Sequence, residues 1–168
     1  MTTPHATSRP RALLSAAGRG AVAGLVGVAA MTATEKLEQA VTRRPNSYTP
    51  ARALLTLAGR DPSDGQRPFA WNHAMHWGTG AVLGALRGVW AVTGLRGPRA
   101  HATYAVLRLA ADQTVENATG VGAPPRRWPI GEQAIDVFHK GVYALVTGMA
   151  AERLVPPTLE SDRGTTSH

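Results

Sequence analysis

Small residues recur at four-residue intervals inside two apolar stretches: Gly80, Gly84 and Gly88 in one, and Gly20 with Gly24, beside Ala23 with Gly27, in the other. Four residues is close to one helical turn, so each row lies along one side of a helix. An interior glycine costs a helix in water roughly 1 kcal/mol against alanine, and rows of them need an offsetting gain. Close approach of two backbones supplies it, above all in lipid, where apolar side chains gain nothing by leaving solvent and helix packing falls to small residues. The feature restricts the chain to tightly crossed helices and favours a bilayer over a water-soluble bundle. It also marks Gly80, Gly84 and Gly88 as a helix-packing face, offered as a surface for association between copies of the chain.

The rest of the pattern is helical throughout. A first long helix is expected over about Ala16 to Val41, ending at Arg43-Arg44-Pro45. A short helix follows from Thr49 and Pro50 until Gly59 stops it, with Leu54, Leu55 and Leu57 as its apolar side. Further long helices are expected over about Ala70 to Leu95, Ala100 to Thr119 and Gly131 to Leu154, each ended by Gly or Pro punctuation. No segment alternates with period two, so no sheet is expected. Glu35 and Glu116 occupy like positions late in the first and third long helices. His76 and His139 open the second and fourth, with Gly84 and Gly148 further on. The chain thus reads as all-α, a four-helix up-down bundle made of two repeated αα-hairpins. The folded domain is placed at 13–155, between disordered polar tails at 1–12 and 156–168.

Charge and composition narrow the function classes. Lysine and arginine total 18 against 11 acids, a net charge of +7, and only Lys36 and Lys140 are lysines. The arginines are scattered over helix ends with no basic stripe or recognition helix, which argues against nucleic acid and suits anionic lipid headgroups. Without cysteine there are no disulfides and no thiolate chemistry. The chain has no Gly-x-Ser-x-Gly, no His-Glu-x-x-His and no phosphate loop ending in lysine, so no catalytic residues are assigned and an enzyme is not expected. No cofactor is expected either. Arg9 and Arg11 ahead of Gly20 to Met31 resemble a signal peptide, but helical patterning continues through Glu35 to Gln39.

Hydropathy alone does not settle placement. Mean hydropathy is −0.13, and each long helix carries charge: Arg19 and Glu35 flank the first, Arg87 interrupts the second, Arg108, Asp112 and Glu116 the third, Lys140 the fourth. Against this, Trp71 and Trp90 bracket the second long helix at a rise of roughly 28 Å, near the thickness of a hydrocarbon core. The small-residue first helix from Gly20 running into Glu35, the Pro-bearing connector after it, and the histidines His76 and His139 just ahead of glycines together resemble small bacterial inner-membrane proteins of the YagU-like kind. The likeness spans about Gly18 to Leu154. It implies a four-helix integral membrane fold in the bacterial plasma membrane with no established catalytic residues.

The ionisable residues inside the helices form the candidate site. Arg108, Asp112 and Glu116 repeat every four residues and share a face; Asp136 and His139, three apart, share another. Glu35 and His76 are placed to meet them in a bundle interior, giving a polar seam of Glu35, His76, Arg108, Asp112, Glu116, Asp136 and His139. Charges within a bilayer face inward, paired or hydrated. The pattern lacks the paired Glu-x-x-His helices of a di-iron bundle, so no metal is assigned. The expectation is a multi-pass membrane protein in contact with lipid, acting as a proton or small-solute conduit or as a subunit joined to itself or to another membrane protein. The alternative is a soluble helical module that binds a partner helix.

Overall fold

The computed structural model describes residues 8–161 and is all-helical, with no strand among them. Helix α1 spans Arg9–Thr42, α2 Thr49–Leu57, α3 Phe69–Val92, α4 Gly97–Ala118 and α5 Ile130–Leu154, and a 3-10 turn at Pro125–Arg127 precedes α5. α1 starts seven residues before the expected Ala16 because Pro10 sits in its first turn, where a missing N–H costs nothing. α3 ends three residues early. Gly94 takes φ +90°, and the Leu95 and Gly94 amides close back on the Trp90 and Ala91 carbonyls at 2.9 and 3.4 Å, a left-handed stop that glycine adopts without strain. α2 ends the same way at Gly59. Gly97 and Pro98, expected as a terminator, instead open α4, leaving only Thr93 to Arg96 between the two helices.

Most contacts are made by α1, against α3 and α5, while α4 lies chiefly against α5. α1 and α3 run antiparallel, with Ala16 opposite Gly88 and Gly24 opposite Gly80 and Gly84. A methyl group at Gly84 would lie 2.5 Å from the Gly24 Cα, and one at Gly88 would lie 2.8 Å from the Gly20 Cα. The glycine rows of the two helices therefore meet each other within one chain. This corrects the expectation that Gly80, Gly84 and Gly88 form a face between copies, because close backbone contact with α1 already occupies them. The folded part also runs past residue 155: Val155 and Leu159 pack on Val92, and the Leu159 amide donates to the Val92 carbonyl at 2.9 Å. Of the two expected tails, 1–7 and 162–168 lie outside the described residues.

Side chains are distributed in an unusual way. Among the described residues the buried apolar set is mainly Ala, Val and two tyrosines, with Leu55 its only leucine. Large apolar side chains instead crowd the outside, among them Leu14 at 77% exposure, Val82 at 69% and Val106 at 66%. Arg87, Arg108 and Lys140 are buried, the first completely. Among the described helices, α1 alone is long and apolar enough to cross a membrane by length and composition.

Candidate functional site

The seven residues of the expected seam line one cavity of about 400 Å³, Glu35 from α1, His76 from α3, Arg108, Asp112 and Glu116 from α4, and Asp136 and His139 from α5. The cavity extends to the connectors at one end of the molecule, where Arg44, Thr49, Gly122 and Trp128 line it. Trp128 is held there by its indole N–H donating to the Ala123 carbonyl at 2.8 Å. His73, the other histidine early in α3, does not reach the cavity; it is exposed, its ring edge-on to Phe69.

Within the cavity wall the charges alternate in a chain. Arg108 Nη2 lies 3.1 Å from Asp112 Oδ2, and Lys140 Nζ bridges Asp112 Oδ2 at 3.2 Å and Asp136 Oδ1 at 2.7 Å. The Arg108 guanidinium also covers the Tyr143 ring at 4.8 Å. These spacings follow from helix geometry, since 108 with 112 and 136 with 140 are one turn apart. Lys140, which interrupts α5 in hydropathy, is the hinge of this network and was outside the expected seam; its four-residue offset from Asp136 was the available signal. At the mouth, Arg44 reaches Glu38 at 3.0 Å and Glu132 at 3.5 Å. Glu38 also accepts a hydrogen bond from the Thr42 hydroxyl, as well as those from Arg44.

Away from the connectors, about one turn past Arg108 and Lys140, a tyrosine pair plugs the space between α3, α4 and α5. Tyr104 and Tyr143 are fully buried with hydroxyls 2.9 Å apart, and Tyr143 also lies 2.8 Å from the Gly80 carbonyl. A carbonyl only accepts, so the single Tyr143 proton goes to Gly80 and Tyr104 must be the donor to Tyr143. Gly27 leaves room behind this plug for Thr147 and Tyr143. Tyr143→Phe leaves the Tyr104 hydroxyl and a Gly80 lone pair unanswered and is expected to cost about 1–3 kcal/mol, read as a lower unfolding midpoint in detergent micelles. Adding Tyr104→Phe should restore part of the loss.

Beyond the plug lies a second polar cluster. The completely buried Arg87 binds Glu152 through Nη2, which also lies 3.3 Å from His101 Nδ1, and donates from Nη1 to the Leu95 carbonyl at 3.2 Å. Glu152 in turn accepts the Gly97 amide at 2.9 Å, and Arg96 donates to the Glu152 and Val155 carbonyls at 2.6 and 2.8 Å. Nothing in the spacing of these residues announces their meeting, because Arg87 and Glu152 are 65 positions apart.

No family model matches the chain, and no curated protein and no solved structure does either. Fold and site define a class: an all-helical protein that buries Arg87, Arg108, His139 and Lys140 between its helices while many large apolar side chains stand exposed.

Proposed function

We propose that the chain is an integral membrane protein of the bacterial plasma membrane, its four long helices running up and down across the bilayer around a polar vestibule. The observation that carries this reading is the burial of cations inside helices that expose large apolar side chains. Leu14, Val82 and Val106 stand largely exposed while Arg87 is sealed inside. Extensive contiguous apolar surface is uncommon on water-soluble monomers; in hydrocarbon such a surface is solvated, and charges turn inward to pair. The charges that depress the hydropathy of α3, α4 and α5 include the buried Arg87, Arg108 and Lys140, whose inward placement fits spanning helices. The YagU-like resemblance likewise implies a four-helix integral membrane fold.

The vestibule suits entry of protons or a small polar solute from the end that carries Arg44 and Trp128, with the tyrosine pair closing the path before the Arg87 cluster. The apolar exterior also leaves room for lipid, for another copy or for a membrane partner. In a carbonate wash of membranes the protein should stay in the pellet and be released only by detergent. Recovery in the carbonate supernatant overturns the reading and favours a soluble helical module whose exposed apolar faces bind a partner helix.

A further inference from the structure

The charges lining the cavity do not balance: three cations, Arg44, Arg108 and Lys140, face five carboxylates. Arg44 engages Glu132, and Arg108 and Lys140 engage Asp112 and Asp136. Glu35 and Glu116 are left over. Neither has a cationic side chain within 4.0 Å among the described residues, and Glu35 accepts only from Gln39 at 3.2 Å. His139, also in the lining and only 7% exposed, has an Nε2 with no hydrogen-bond partner. In the tautomer that carries its proton on Nδ1, this Nε2 accepts an N–H.

Three features set the class of occupant. Among the described residues no three carboxylate or imidazole groups lie closely enough together to hold a metal ion. The lining includes Trp128, Met31 and Met75; an aromatic ring attracts a cation, and methionine side chains pack against carbon. About 400 Å³ falls in the range of small-molecule sites. Arg108 also keeps Nε and Nη1 unpartnered, but its charge is committed to Asp112 and the Tyr143 face, and it is 3% exposed. We infer that the vestibule binds a small organic cation, a protonated amine on a short carbon body, between Glu35 and Glu116, with His139 accepting one of its N–H groups.

This inference rests on the vestibule reading above and names its ligand class. The test is calorimetric titration of the purified full chain in detergent with four probes of one length: n-butylammonium, butane-1,4-diammonium, butyrate and 4-aminobutyrate. Both ammonium probes should bind saturably, the diammonium more tightly, and butyrate should not bind. Glu35→Gln and Glu116→Gln should each weaken the diammonium by about tenfold or more. Three results overturn the inference: no saturable binding of either ammonium by protein that melts and elutes normally, tightest binding of butyrate or 4-aminobutyrate, or diammonium binding unchanged in both glutamine variants. Membrane retention is measured separately. A protein that stays in the carbonate pellet yet binds no ammonium loses only the ligand class, whereas release from the membrane removes the reading beneath it.

Discussion

Gly84→Leu is expected to destabilise the protein by about 3 kcal/mol or more, seen as a large drop in unfolding midpoint and loss of a single species in micelles. The reason is backbone against backbone. A Cβ at Gly84 would lie 2.5 Å from the Gly20 carbonyl oxygen and the Gly24 Cα, and 2.7 Å from the Gly24 nitrogen, so no rotamer relieves the clash and α1 must separate from α3. The α1–α3 crossing is the most extensive helix contact in the molecule, and its loss should open the cavity wall that carries Glu35 and His76. The matching controls are Gly78→Ala and Gly141→Ala, helical positions where an added methyl meets nothing within 4 Å. These should be neutral or stabilising by up to about 1 kcal/mol through helix propensity. If Gly84→Leu behaved like Gly78→Ala, the glycine crossing would not be holding the helices together.

The second large effect falls on the Arg87 cluster. Glu152→Leu leaves a completely buried guanidinium with no carboxylate and also removes the acceptor of the Gly97 amide. The expected cost is about 3–5 kcal/mol. Glu152→Gln keeps an acceptor for Gly97 and should lose less. Arg87→Met with Glu152→Leu should recover much of the stability, because the costly state is the single unpaired charge and not the absence of the pair. A double-mutant cycle on unfolding free energy in micelles measures this directly. A near-zero coupling, with the Glu152→Leu cost below about 1 kcal/mol, would show that Arg87 is solvated in place.

The seam and the cluster were unequally legible. Glu35, His76, Arg108, Asp112, Glu116, Asp136 and His139 could be grouped from spacing, because one-turn offsets and like positions in the two halves put them on faces that had to go somewhere, and ionisable groups on otherwise apolar helices turn inward together. Lys140 belonged to the same face as Asp136 yet read as an interruption, since a lysine lowers hydropathy whether it points to water or to a buried carboxylate. Tyr104, Tyr143 and Glu152 carry no local signal, and Arg87 marks a charge to be hidden without marking its partner. Their roles come from partners 39 to 65 positions away.

Sequence alone determined the helices, the glycine stop at Gly59, the one-turn rows of small residues and the charges each helix must hide, because these depend on periodicity within a segment. Only the tertiary structure decided which row faces which. The Gly80, Gly84 and Gly88 row is spent on Gly20 and Gly24 of the same chain, α4 lies on α5 and hardly on α3, and Leu159 returns to Val92. A helical period fixes the direction of a face around its own axis. It holds no information on what lies opposite, which is set by the volumes and charges of all the helices at once.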